Sequence, residues 1–258
     1  MSKVEFISFI LVLLSLSPVI QAQDAVEPVI SPDRTGGTVG PAKVDKGVMN
    51  LELGANFNTY KKENAKSNGQ NYAGILRYGL LENLEVNLGF DFASAAGDDL
   101  EKISGFAGFS TGVKIGVAEE DGLLPQVEFE GRIALPWFGR EEFRPADAEP
   151  NFNFNFANTF SDQWSINYAV GMFWEGAEEA GYYGFMLIHN FNPRLCIFAE
   201  HYGFVRGDLN PEPHLGAGIM YMISNKLQLD FSIDLGRDDG AALTFFEVGV
   251  ATMLKSGN

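Results

Sequence analysis

The chain has 258 residues and a formal net charge of -16, with 34 acidic against 18 basic side chains, so it lacks the basic face that nucleic-acid binding requires. Its single cysteine, Cys196, excludes an intrachain disulfide and a cysteine zinc cluster. A hydrophobic content of 46% fits a soluble protein and a membrane barrel equally, because a barrel alternates apolar with polar side chains.

Residues 1–22 read as a secretion signal. Lys3 supplies the positive start, Phe6 to Ile20 the apolar stretch and Gln21-Ala22 the small-residue end, with cleavage expected after Ala22. The stretch is shorter than the ~20 apolar residues of a spanning helix and is broken by Ser15, Ser17 and Pro18. No cysteine lies near the cleavage point, so no lipid anchor is expected. Residues 23–46 follow as an irregular leader, punctuated by Pro28, Pro32, Gly36, Gly37, Gly40 and Pro41. The leader is long enough to fold back and plug an interior.

From Gly47 to Leu254 the polarity flips at every residue, segment after segment, which is the period of a strand with one oily and one wet face. Met49, Leu51, Leu53, Ala55 and Phe57 open the series. Tyr72 to Tyr78 follows, and then Leu84, Val86, Leu88, Phe90 and Phe92 against Glu85, Asn87 and Asp91. Phe106 to Val117 is the fourth strand, and Val127, Phe129, Ile133 and Leu135 alternate with Glu128, Glu130 and Arg132 in the fifth. Asn151 to Phe156 alternates Asn with Phe, and Trp164 to Trp174 carries the seventh apolar face. Tyr182 to Ile188 is apolar on both sides and gives no facing. Leu195 to Phe204, Leu215 to Ile223, Leu227 to Leu235 and Thr244 to Leu254 complete the set. The expectation is an all-β, antiparallel transmembrane β-barrel of about twelve strands over residues 47–254, with a short tail at 255–258.

Connection lengths carry a second signal. The links near Gly79 to Asn83, Ser161 to Gln163, Asn190 to Arg194 and Ser224 to Lys226 read as short, Ala118 to Leu124 as middling, and the alternate ones, such as Lys61 to Asn71, Pro136 to Pro150 and Gly236 to Leu243, as longer. Short turns are periplasmic in such barrels, which puts both ends of the mature chain on that side. Register is fixed by energy. Slipping Leu227 to Leu235 by one residue would turn Gln228, Asp230 and Asp234 into lipid, where a charge costs up to ~2–4 kcal/mol at mid-depth, less for acids. Tyr60, Tyr78, Trp137, Trp164 and Trp174 fall near strand ends, as either membrane-boundary rings or ordinary packing.

The wet faces collect the candidate lumen-lining residues: Glu52, Arg77, Glu85, Asp91, Lys114, Glu128, Glu130, Arg132, Glu200, Asp230, Asp234 and Glu247, with Asp33 and Arg34 in the leader. Their acid excess favours cations over anions along a pore, and they can equally pair into ion networks that fill a narrow barrel. Gly108-Phe109-Ser110-Thr111-Gly112 matches the G-x-S-x-G elbow of hydrolases, but Val113, Ile115 and Val117 continue the strand where an elbow needs a helix. His189, His201 and His214 form no evident set with that serine. Paired acids at Asp98-Asp99, Glu141-Glu142, Glu178-Glu179 and Asp238-Asp239 lack the spacing of a calcium loop and read as a solvated rim. No metal, cofactor or redox centre is indicated.

With these segments in place, the chain resembles a family of outer-membrane barrels assigned as transporters and linked by name to the meta pathway of phenol degradation. The resemblance rests on Ile30-Ser-Pro-Asp-Arg-Thr35, Lys46-Gly47 with Glu52, Leu76-Arg-Tyr-Gly79 before Asn83-Leu-Glu85, and Gly112-Val-Lys114 with Pro125. Ala134-Leu-Pro136, Phe198-Ala-Glu200 and Asn225-Lys-Leu-Gln-Leu-Asp230 extend it over nearly all of the mature chain. Thr35 stands where that family usually has proline after Asp-Arg, and the chain ends in Lys255 to Asn258 rather than on an aromatic strand residue. The resemblance implies an outer-membrane location and passive passage of small, hydrophobic or aromatic molecules, with outer-membrane lipids as surroundings. The alternatives are a barrel-borne hydrolase using Ser110 or another serine, a non-conducting structural barrel closed by its leader, and a soluble ligand-binding barrel. Solute identity, gating and oligomeric state are not specified by the sequence.

Overall fold

Twelve antiparallel strands close on themselves in a computed structural model that describes residues 29–63, 65–98, 100–207, 211–238 and 240–256. The expected signal segment, residues 1–22, lies outside the described residues. The strands are β1 (Met49–Lys62), β2 (Ala65–Leu81), β3 (Leu84–Gly97), β4 (Leu100–Ala118), β5 (Gln126–Leu135) and β6 (Glu149–Thr159). They continue as β7 (Trp164–Glu175), β8 (Glu178–Asn192), β9 (Leu195–Arg206), β10 (Glu212–Ser224), β11 (Leu227–Asp238) and β12 (Ala241–Lys255). Each strand pairs with its chain neighbours, and β1 pairs with β12 from Met49↔Lys255 to Lys61↔Ala242, so no edge is left open.

Alternation in the sequence becomes inside and outside of the barrel. Leu88, Phe152, Phe154, Leu229, Phe231, Leu235, Phe246 and Val248 stand on the outer surface, 44–57% exposed. Their immediate neighbours Asn87, Asn155, Gln228, Asp230 and Asp234 are buried. This is the reverse of a water-soluble protein, and only a hydrocarbon surrounding makes such an exterior favourable.

Two expectations about connections are corrected. Most of the links read as long are paired strand: β1 runs to Lys62 and β2 starts at Ala65, β7 ends at Glu175 and β8 starts at Glu178. Polar residues such as Asn68 and Gln70 read as loop because these hairpins extend beyond the apolar band, where both faces of a strand can be polar. The long connections on that side are residues 136–148 and 207–211. The link at 119–125, on the side of the chain termini, is longer than most of those opposite.

The facing of β8 is the other matter decided here. Tyr182, Gly184 and Met186 turn inward, and Phe185 and Leu187 turn outward, 49% and 44% exposed. Tyr60 falls on the interior face with Asn56 and Asn58 rather than at the membrane boundary. Trp164 and Trp174 lie on the outer face at opposite ends of β7, and Trp137 projects from the 136–148 connection, 70% exposed.

Candidate functional site

The interior is largely polar because most strands turn their wet face there, and the leader runs through it. Ile30 N donates to Asn225 O at 2.8 Å in the β10–β11 turn, where the described leader meets the barrel. The chain then crosses the lumen and returns at Lys46, bridged to Gly79, and Gly47 N donates to Gly79 O at 2.8 Å. Ile30, Val44 and Val48 pack with Ala251 and Met253 into a dry seal at the mouth on the side of the termini.

Between these ends the interior carboxylates hold leader backbone. Asp33 N and Arg34 N donate to Glu52, the latter at 2.9 Å; Gly37 N and Thr38 N donate to the two oxygens of Glu200, both at 2.9 Å; Val44 N donates to Glu85 at 2.8 Å. An irregular segment leaves backbone N–H groups without strand partners, and buried groups of that kind need acceptors. Ionised carboxylates supply strong ones.

Arg77 organises the lower lumen. Its guanidinium donates to Glu85 twice at 2.7 Å and to Glu52 at 2.8 Å, reaches the carbonyls of Ser31 and Ala42, and lies 3.3 Å from Asp33. Lys114 Nζ is 2.7 Å from Asp33 Oδ1 and 3.7 Å from Glu128. Both cations are fully buried. Higher up, Arg34 Nε donates to Asp230 at 3.3 Å, and its guanidinium lies where Cβ atoms on Gly54 and Gly249 would sit. Those glycines are therefore a cradle, the reason for two residues that weaken a strand.

The remaining candidates lie above the leader. Arg132 pairs with Glu130 at 2.9 Å, Asp91 accepts from Asn71 at 3.2 Å, and Glu247 accepts from Asn56 at 2.6 Å. Asp234 is 2% exposed with one oxygen unpartnered. Thus Glu52, Arg77, Glu85, Lys114 and Glu128 gather around Asp33, Glu200 and Asp230 hold the leader's crest, and Asp91, Glu130, Arg132, Asp234 and Glu247 face the space beyond it.

Sequence reasoning missed the aromatic part of the interior. Tyr182, Tyr202, Phe204, His214 and Phe245 form a contiguous wall: Tyr202 stacks on His214 with centroids 4.7 Å apart, Phe204 meets Tyr182 and His214 at 5.8 Å, and Phe245 lies 5.7 Å from His214. Phe173 adds an edge contact to Phe204, with the Arg206 guanidinium 5.3 Å above its ring. The signal was present in β8 and in Tyr202 and Phe204 of β9, where rings occupy the face that also carries Glu200.

Ser110 sits mid-strand in β4 and continues into paired residues on both neighbours. The histidines lie in β8, β9 and β10, at least four strands away around the barrel. His201 Nδ1 is 2.8 Å from the carbonyl of His214, and Tyr183 Oη is 3.4 Å from its Nε2.

The sequence pattern of the family described as "Putative MetA-pathway of phenol degradation" matches residues 32–254, so leader and barrel fall within one unit. Among curated proteins, none matches the chain. The COG4313 outer membrane channel from Pseudomonas putida F1 shares the fold with a TM-score of 0.61 at 14% identity, over 81% of this chain and 96% of that one. The translocator domain of the autotransporter NalP from Neisseria meningitidis does so with 0.52 at 9%, over 80% and 88%. The KdgM porin does so with 0.52 at 7%, over 77% and 98%. At these identities the likeness is one of architecture.

Proposed function

The chain belongs to the MetA-pathway phenol-degradation family, and from that premise we propose that it is an outer-membrane channel for passive passage of small hydrophobic or aromatic molecules, closed at rest by its own leader. The supporting observation is the strapping of residues 30–47 across the lumen by Glu52, Arg77, Glu85, Lys114, Glu200 and Asp230. The strapped segment is held by charge-assisted hydrogen bonds and ion pairs, which can exchange for water, and not by continuous strand pairing. On this reading the side carrying the chain termini faces the periplasm. The twelve candidate residues line the path when the leader leaves, and their acid excess makes it cation-preferring. Structures of the same architecture include a channel and a porin, and the chain acts without covalent chemistry.

The test is conductance in planar bilayers, comparing the mature protein with a form lacking residues 23–46. The intact protein should show small or infrequent openings, and the shortened one steady, cation-preferring conductance. Silence in both, with barrels shown to be folded, would favour the second reading, a structural barrel. The full burial of Arg77 and Lys114 among Asp33, Glu52, Glu85 and Glu128 is the observation that speaks for it.

A further inference from the structure

Glu200 of β9, Gly216 of β10 and Asp234 of β11 form one register row on the inner face of the barrel. The glycine leaves a pit between the two acids, and both lean over it: Asp234 Oδ1 and Glu200 Oε1 each lie under 3.0 Å from the point where a Cβ of Gly216 would stand. The leader's Gly36 roofs the same spot, its own Cβ position meeting Glu200 Oε1. Asp234 and Glu200 are 2% and 4% exposed, and Asp234 Oδ1 has no hydrogen-bond partner. We propose that a divalent cation of the calcium type binds between Glu200 and Asp234 and locks the leader's crest over Gly216. The lock rests on the plugged-channel reading for its effect on conductance but not for its existence.

Electrostatics carries the argument. Like charges held in a dry interior turn away from each other unless a positive charge stands between them. Glu200 is fixed by the leader, accepting from Gly37 N and Thr38 N, both at 2.9 Å. Asp234 has no such tie on Oδ1, yet that oxygen points toward Glu200. Arg34, the cation of the leader's crest, is taken by Asp230 at 3.3 Å, and among the described residues no lysine or arginine pairs with Glu200 or Asp234. Glu247, opposite Ser232 on β12, adds further negative charge.

Two carboxylates balance one divalent ion, and such ions take oxygen donors, at about 2.3–2.6 Å for calcium. An ion standing just above the Gly216 pit reaches both oxygens at that length. Ser232 Oγ, the next inward group along β11, is 1% exposed and also without a partner. Among the described residues no third acid or histidine joins the pair around one point. The shell is therefore completed by hydroxyl and water, and with two charged ligands the site is weak and releasable. Ion and closed leader support each other. The ion removes the repulsion that would swing Glu200 from the Gly37 and Thr38 amides, and the leader roofs the ion, so the coupling runs in both directions.

The experiment follows amide exchange of the peptide carrying residues 37 and 38 by mass spectrometry. It uses the folded mature protein in detergent at one pH, in EGTA or in roughly 10 mM calcium chloride. In the parent, calcium should slow exchange at least about tenfold. Asp234→Asn removes both a ligand of the ion and the repulsion, so it should be protected already in EGTA and gain nothing from calcium. Glu200→Gln should exchange fast in both conditions. Heat-modifiable migration on gels establishes that each variant is folded, and Glu178→Gln at the outer rim should keep the full calcium response. An equal response in Asp234→Asn would overturn the site, as would no response in the parent, the result given by two carboxyls that share a proton. A form lacking residues 23–46 that conducts, with a parent indifferent to calcium, removes the lock and leaves the channel. A calcium response in a barrel that never conducts, even without residues 23–46, removes the channel and leaves the lock.

Discussion

Lys114 and Asp33, 81 residues apart in the chain, meet at 2.7 Å inside the barrel. One partner belongs to the wall and the other to the leader, and the same carboxylate lies 3.3 Å from Arg77. Asp33 is thus the anion that two fully buried cations share, which makes it the place where leader and barrel are most tightly coupled.

Replacing Asp33 with Asn leaves Lys114 and Arg77 with less compensation than burial demands. Breaking a buried pair by removing one partner costs about 3–5 kcal/mol. Here the strain is relieved by releasing the leader and admitting water, so the barrel itself should keep its heat-modifiable migration. Protease added on the side of the termini should cut residues 30–46 far faster in Asp33→Asn than in the parent, and bilayer openings should become frequent. Unchanged protection would show that Asp33 does not hold the leader.

The glycine cradle gives an independent handle. Gly54→Val and Gly249→Val place side chains in the space of the Arg34 guanidinium without touching Arg77 or Lys114. Valine also suits a strand, so barrel stability should hold while the ion pair to Asp230 is lost. Spin labels on the leader should report displacement of its crest with its ends still anchored. A leader that stays in place in both variants would contradict the cradle.

Thr35 carries φ of +117°, a region that disfavours a β-branched residue, and it is followed by Gly36 at +83°. Strain of this kind costs about 1–3 kcal/mol. Thr35→Gly should therefore bind the leader more tightly and lengthen its protease lifetime. Thr35→Pro, which restores the residue usual in the family, demands φ near −65° and should shift the crest away from Glu200 and Asp230. Equal lifetimes for the parent and Thr35→Gly would count against the strain.

On the outer face, Leu229→Arg should destabilise the barrel in lipid by about 2–4 kcal/mol, since a mid-depth charge there has no partner. Its neighbour Gln228 already faces the interior, and Gln228→Asn should cost much less. Chemical unfolding from lipid vesicles measures both. Similar costs for the two would undermine the assignment of faces.

The 136–148 connection is pinned by Arg140, whose backbone N donates to Phe106 O at 2.7 Å and whose side chain reaches Ser104 O and both oxygens of Glu142. The Arg140 guanidinium holds the Glu142 carboxyl down to about 2. A depressed acid stabilises above its unfolded value of about 4.5 and loses that contribution as pH falls toward 2. Amide exchange in this segment, corrected for its intrinsic pH dependence, should be flat from pH 7 to 5 and less protected below about 4. Glu142→Gln should abolish the pH step.

Alternation by itself led to the expectation of about twelve antiparallel strands in a barrel and to the facing of those whose wet side carries charge, such as β3, β5 and β11, because a one-residue slip there would exchange carboxylates for apolar side chains across the membrane surface. Glu128, Asp230 and Glu85 could be assigned inward from their neighbours alone. What period two does not encode is the identity of contacts between faces, and there the tertiary structure decided. It turned Tyr182 inward, since β8 is apolar on both sides and only its register with β7 and β9 separates them. It also placed the leader, whose residues have no period, against acids scattered from Glu52 to Asp230. Those partners lie far apart in the chain and become neighbours only when the sheet closes, so the pairing of Asp33, Arg34 and Thr38 is a property of the closed barrel and not of any segment.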